Sequence, residues 1–418
     1  MASPEERGLP DATVTDGRSG RVPRNIVVLG LVSLLTDASS EMVYPVLPLF
    51  LVNVLHAPVS AIGLIESLAE ATASFVKVAS GRLSDRIDRR RPLVALGYTL
   101  SNLVKPLLAI VPGWPAVLAL RVADRFGKGV RTPPRDALIA DSGTPERRGR
   151  DFGFHRALDT VGAAIGPLTA WAVLTFVPNG YRTIFWLSAI PGSLAVVLVL
   201  VAVREVRRPA GVERSGPGTS LLPFRQLGAG FTVFTLISVA FSLGNSSDAM
   251  LILRAQNVGN PAALIPLMYF VFNLVAAVLA TPLGHLSDRV GRKRLIVFGF
   301  AGYAVVYAGF ALAGTPVSIW VLFALYGLPY AATEGMTRAF VVDLVPGQLR
   351  ATALGAYTFA IGLAALPASL VAGVLWDQVS PAAPFVLSAL LMAGAALALL
   401  LSRPERLAGV KPVQESAS

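Results

Sequence analysis

From Ile26 to Ser402 the chain alternates between long apolar runs and short polar turns. Each run is about 20 residues long, the length a helix needs to cross the hydrocarbon core of a bilayer. The pattern predicts spans at 26–52, 60–80, 93–111, 115–138, 153–177 and 183–203, then at 227–253, 263–283, 295–313, 316–340, 352–375 and 382–402. The expected fold is therefore an all-α membrane protein with twelve transmembrane helices in two six-helix bundles, 26–203 and 227–402. Residues 1–25 are polar, contain Pro, Gly and Arg, and read as a disordered tail. They lack the short apolar core and small-residue cleavage site of a signal peptide, and the first apolar run is long enough to stay as a span. Between the bundles, 204–226 includes RRPAGVERSGPGTS and reads as a flexible linker. Residues 403–418 form a second polar tail.

The two bundles are copies of one another. GRLSDRIDRRRP at 81–92 returns 203 residues later as GHLSDRVGRKRL at 284–295, each time between two long apolar segments. Ser39-Ser40-Glu41 in span 1 is echoed by Ser246-Ser247-Asp248 in span 7, and Arg135 in span 4 by Arg338 in span 10. Parallel repeats of this kind are a common way of building a transporter.

Composition agrees. The 418 residues are 54% hydrophobic and 15% charged, which in a soluble domain would leave a large apolar surface in water. The net charge of +11 would fit a nucleic-acid partner if the basic residues were clustered on a polar face. Instead Lys and Arg crowd the tails and alternate loops, and only Arg182 and Arg254 lie on the other side. That asymmetry is a topology signal: it places both termini, the linker and the two repeated loops in the cytoplasm. The absence of cysteine excludes disulfides and thiolate metal sites, and His56, His155 and His285 are too scattered to suggest a metal site. No cofactor and no nucleic acid is called for. No H-E-x-x-H, no nucleophile with a positioned His and no nucleotide-binding glycine loop is present, so an intramembrane enzyme is disfavoured.

The informative residues are the charges inside the predicted spans, where each costs several kcal/mol unless paired or hydrated. Asp37 and Glu41 lie in span 1, Glu66, Glu70 and Lys77 in span 2, and Asp248 in span 7. Span 4 carries Arg121, Arg125 and Lys128 at i, i+4 and i+7, hence on one helical face, and Arg131 and Arg135 continue the stripe across Pro133-Pro134, which should bend or end the helix. Such a stripe cannot face lipid. It meets carboxylates from neighbouring helices, lines a hydrated cavity, or does both. Counting residues from the span ends sets Glu66 level with Arg121, and Glu70 level with Arg125. Asp37, Glu41 and Glu66 are the candidate proton carriers. Arg121, Arg125, Lys128, Asn245 and Asp248 are the candidate substrate contacts, Asn245 as a hydrogen-bond donor. Asp124 and Asp159 read as structural partners of nearby bases. Glu334 and Arg338, one turn apart near the inner end of span 10, read as gate residues.

The repeated loop resembles the signature G-x-L-x-D-R/K-x-G-R/K-R/K of the major facilitator superfamily. The second copy matches at Gly284, Leu286, Asp288, Arg289, Gly291, Arg292 and Lys293; the first matches at Gly81, Leu83, Asp85, Arg86, Arg89 and Arg90, with Asp88 in place of Gly. The resemblance implies two bundles around a central cavity that alternates between the two sides of the membrane. It implies that Asp85 and Asp288 help close the cytoplasmic side, with Arg135 and Arg338 as their expected partners, while the Arg clusters also set topology. Two further motifs resemble those of twelve-helix drug:proton antiporters: Gly162-x-x-x-Gly166-Pro167 in span 5, which is equally a tight helix-packing motif, and Pro45-Val46-Leu47-Pro48 in span 1. Span 4 departs from their R-x-x-Q-G-x-G pattern, keeping Arg121 and Gly127 but placing Asp124 and Arg125 between them. The expectation is a secondary transporter in a bacterial inner membrane, exporting a small organic solute or drug in exchange for protons. The alternative is proton-coupled or exchange uptake of an organic or phosphorylated anion. Its partners are the small-molecule substrate, protons and membrane lipids.

Overall fold

The computed structural model describes residues 22–87, 89–144, 147–206 and 227–407; the predicted tails up to residue 21 and beyond residue 407, and most of the predicted linker, lie outside the described residues. Those described fold into twelve helical spans. Span 1 comprises Arg24–Val43 and Leu47–Asn53, span 2 Val59–Arg86, span 3 Arg91–Leu108, span 4 Trp114–Ser142, span 5 Arg148–Phe176 and span 6 Tyr181–Ala202. Span 7 comprises Ala229–Gly244 and Ala249–Asn257, span 8 Ile265–Val290, span 9 Arg292–Leu312, span 10 Pro316–Thr333 and Met336–Asp343, span 11 Arg350–Gln378 and span 12 Ala383–Leu401. Ten of these elements are long and apolar enough to cross a membrane on composition alone. Spans 3 and 4 are not among them: span 3 contains Arg91, Asn102 and Lys105, and span 4 the Arg121–Arg135 stripe.

Three spans predicted as continuous are broken. Span 1 stops at Val43 and restarts at Leu47, because Pro45 has no N–H to extend the first helix. Span 7 breaks over Asn245-Ser246-Ser247-Asp248, short polar side chains that compete for backbone groups; Ser247 Oγ accepts the Ala249 N–H at 3.3 Å. Span 10 breaks at Glu334-Gly335. Broken helices at matching places in two transporter halves mark the region where substrates bind.

Span 4 runs unbroken through Pro133-Pro134 to Ser142, past its predicted end at 138, so the prolines do not end the helix. Pro134 cannot donate to the carbonyl of Val130, and Ser80 of span 2 takes its place, its hydroxyl donating to that oxygen at 2.6 Å.

Within each half, the same devices recur. Arg90 forms an ion pair with Asp141, and Arg292 forms one with Asp343; each joins the start of an odd-numbered span to the end of the next, 51 residues on. At the opposite end, Arg182 and Arg254 serve as helix caps. Arg182 donates to the carbonyls of Ala109 (2.6 Å) and Val111 (3.4 Å) just past the end of span 3. Arg254 donates to Phe310 (3.0 Å), Ala311 (3.2 Å) and Ala313 (3.0 Å) at the end of span 9. Both satisfy carbonyls left without intrahelical donors and complement the negative end of the helix dipole.

Span 5 packs along span 1 through the small-residue motif. A Cβ on Gly162 would lie 2.3 Å from the carbonyl oxygen of Leu34, and one on Gly166 would lie 2.7 Å from that of Ala38. The halves meet along spans 2 and 11 and along spans 5 and 8. They also touch at the end away from the chain termini, where Gln256 donates to Asn53 Oδ1 at 2.9 Å. These two positions are 203 residues apart, the period of the repeat, so they meet across the pseudo-twofold axis.

Candidate functional site

The charged residues of the N-terminal half converge on one wall. Arg121 is 5% exposed and donates through Nη2 to Glu66 Oε1 (3.0 Å) and through Nη1 to Asp124 Oδ2 (3.4 Å). The pairing of Glu66 with Arg121 expected from depth is therefore present, as is the structural role of Asp124. The companion pair, Glu70 and Arg125, is looser: the two are electrostatic neighbours without an ion pair among the described residues. Glu70 and Lys128 sit mid-span and are nonetheless exposed; since a charge at that depth is too costly against lipid, this wall borders a cleft. Lys128 lies in the field of Asp37, Glu70 and Lys77. Glu41 lies in that of Lys128, Arg125 and Arg121.

Asp37 faces span 5, where its carboxyl is an electrostatic neighbour of Asp159. Asp159 also accepts from Ser33 Oγ at 2.5 Å and from Arg156 Nη1 at 3.1 Å, so it is the structural partner of a base that its sequence position suggested. Lys105 of span 3, absent from the candidates, is buried and donates to Ser39 Oγ at 2.5 Å; Ser39 in turn donates to the carbonyl of Ser188. A polar layer thus ties spans 1, 3 and 6 together behind the wall. One signal for it was present in the sequence: a lysine near the end of an otherwise apolar run.

The C-terminal half presents a different wall. Asp248, in the break of span 7, accepts from Tyr326 Oη at 2.8 Å, and Asn245 accepts from Tyr307 Oη at 3.3 Å. Asn245 therefore uses its carbonyl on Tyr307, leaving its amide N–H groups to act as the donors the sequence suggested. Around them stand Phe272, Tyr303, Tyr307 and Tyr326, with ring centroids 4.7–6.4 Å apart in the contacting pairs. This aromatic cluster was invisible to sequence reasoning, because aromatic residues in apolar helices carry no label of which face they occupy. The two walls face each other. Asp248 lies in the field of Glu41 and Glu66, and the ring of Tyr44, in the break of span 1, packs tilted against that of Tyr269 of span 8 with centroids 5.5 Å apart.

Towards the end bearing the termini the facing residues are separate and exposed. Arg338 and Glu334 have side chains 64% and 48% exposed, and they approach each other only to 3.9 Å. Arg135 pairs with its neighbour Asp136 at 2.9 Å. Neither pairs with its expected gate partner, Asp85 or Asp288, among the described residues, and no hydrogen bond or ion pair there joins span 4 to span 10. The reason is geometric: those pairs were expected for a closed end, and in this conformation that end is open while the other is sealed by Asn53–Gln256 and Tyr44–Tyr269.

Two copied bundles with a charged cleft between them form the architecture implied by the repeated loop, and the three broken helices add to it. The sequence profile described as Major Facilitator Superfamily matches residues 29–253 and 232–417, almost the whole chain. The chain belongs to the Major Facilitator Superfamily. It is a multi-pass transmembrane transporter, and its relatives and fold neighbours are transporters rather than enzymes. An MFS-type transporter of Methanocaldococcus jannaschii is 36% identical over 383 residues, covering 90% of this chain and 94% of that one. The multi-drug resistance efflux pump PmrA of Streptococcus pneumoniae is 26% identical over 339 residues, covering 77% and 82%. Among solved structures, that of the nucleoside transporter NupG superposes with a TM-score of 0.75 at 15% identity, covering 91% of this chain and all of that one (100%). The last likeness is one of fold alone.

Proposed function

We propose that the protein is a proton-coupled exporter of a small organic solute, working by alternating access in a bacterial inner membrane with both termini in the cytoplasm. One observation carries this reading: Asp37, Glu41, Glu66 and Glu70 share a wall of the cleft with Arg121, Arg125 and Lys128, opposite Asp248. A carboxylate held between basic partners and water exchanges its proton when the partners move, which links protonation to conformation. Glu41 is placed for this task, since it has bases on its own side and the Asp248 carboxylate across the cleft. The motifs at Gly162, Gly166 and Pro167 and at Pro45-Val46-Leu47-Pro48, and the likeness to an efflux pump, support the outward direction. The Lys/Arg asymmetry supports the orientation.

In everted vesicles with a preformed pH gradient, adding a substrate drawn from a broad panel of organic compounds should release protons from the lumen and collapse the gradient. If no compound does so, the proton-export reading fails.

A second reading concerns substrate charge. Arg125 and Lys128 face the cleft without an ion pair among the described residues, and Arg125 Nε is buried with no hydrogen-bond partner. This favours a solute bearing an acidic group, taken up by symport or exchange in the alternative mechanism. Arg125→Ala would then abolish uptake of organic anions in protein that still folds; normal uptake would eliminate this reading.

A further inference from the structure

The end of the cleft away from the chain termini is closed by more than side-chain packing. Span 2 begins at Val59 after Pro58, and no side chain of its own segment caps it. Its first N–H groups are nevertheless satisfied. Asp377, in the last turn of span 11, accepts from the Val59 N–H through Oδ1 at 3.1 Å and from the Ser60 N–H through Oδ2 at 2.7 Å. A carboxylate of one half thus serves as the N-terminal cap of a helix in the other. The contact suits both partners, because the start of a helix offers unpaired donors and a positive dipole end.

The backbones around it are unusually close. A Cβ on Gly373 would lie 2.7 Å from Ser60 Cα, and one on Gly63 would lie 2.3 Å from the Ser369 carbonyl oxygen. Ser67 donates to the Leu366 carbonyl at 2.6 Å, and Ser369 Oγ accepts from Ser247 N–H at 3.0 Å, in the break of span 7. Spans 2 and 11 are therefore joined across the halves by hydrogen bonds that rigid-body separation must break, while the Ser369–Ser247 bond ties span 11 to span 7 within the C-terminal half.

We propose that Asp377 is the latch of this gate: its two bonds to span 2 hold the outer end closed, and their rupture is a required step when the cleft opens on that side. The inference rests on alternating access. Rupture exposes both donors and the carboxylate to water, so water replaces the bonds and the latch remains reversible.

The chain has no cysteine, so paired spin labels can be introduced directly. One pair, Val177→Cys with Gly314→Cys, reports on the outer end; both positions are exposed, one in each half. A second pair, Gly149→Cys with Gly347→Cys, reports on the terminal end, where neither site has a neighbouring atom that a Cβ would meet. In lipid nanodiscs, Asp377→Ala should raise the ratio of long to short outer distances about five- to thirtyfold, the effect of losing a good helix cap. Asp377→Asn keeps an acceptor for one N–H and should stay near wild type, and Gln378→Ala next to it should not move the ratio. An unchanged outer distribution in Asp377→Ala, or an equal shift in Gln378→Ala, overturns the latch. If the outer pair lengthens while the terminal pair does not shorten, the latch stands and the reciprocal closure assumed by alternating access fails.

Discussion

Arg121 is the residue on which the N-terminal wall depends most heavily. Its side chain is 6% exposed and is bonded to two carboxylates, Glu66 with 12% and Asp124 with 18% side-chain exposure. Arg121→Met keeps most of the apolar stem but strands both acids in a region where water is scarce. Breaking a buried pair by removing one partner costs about 3–5 kcal/mol, because the remaining charge is uncompensated. Glu66→Gln alone removes one of those charges and leaves Arg121 with Asp124, so its cost should be smaller. The double variant should be more stable than the sum of the single effects predicts, since the stranded carboxylate is gone, with a coupling of about 1–3 kcal/mol. The assay is a double-mutant cycle on unfolding midpoints of purified protein in a fixed detergent. Additive effects within about 0.5 kcal/mol would refute the ion pair as a source of stability.

Other outcomes follow from the same geometry. Arg182→Ala and Arg254→Ala each leave helix-end carbonyls without donors and should each cost about 1–3 kcal/mol of stability, read from the same unfolding midpoints. Gly162→Val should abolish correct packing of span 5 on span 1, seen as loss of monodisperse protein on size-exclusion chromatography, because its Cβ would lie 2.3 Å from the Leu34 oxygen. Glu41→Gln should leave substrate binding measurable by thermal shift while uncoupling it from proton movement in vesicles. Ser80→Ala should weaken span 4 at its prolines, raising hydrogen exchange around Val130, whose carbonyl loses its donor.

The number of spans, their order and the doubling were legible because an apolar run of bilayer length fits little besides a membrane-crossing helix, and because the loop recurs with its Asp and Arg residues intact. The pairing of Glu66 with Arg121 was also legible, since two helices running in the same direction keep equal depths in register. The breaks in spans 1, 7 and 10 were not, although Pro45 and the Asn245–Asp248 run hinted at them. Hydrophobicity reports that a segment lies in the membrane, and it does so whether or not the helix is continuous. Pro133-Pro134, expected to bend or end the helix, do not end it: a serine from another helix supplies the missing donor, and no local reading of span 4 can see it. The caps made by Arg182 and Arg254, and by Asp377, are likewise contacts between distant segments. The expected gate pairs of Arg135 and Arg338 belong to a closed terminal end, and a single sequence does not state which conformation predominates.

The central claim is that the charged wall between the halves meets water from one side of the membrane at a time. Lys128 is exposed at mid-span in the open conformation, and a lone cysteine in its place can be labelled without competition in this cysteine-free chain. Lys128→Cys in right-side-out and in everted vesicles should react with a membrane-impermeant maleimide from both faces, with substrate or a pH gradient raising one rate as it lowers the other. Reaction from neither face, or from both at rates that never trade against each other, would contradict it.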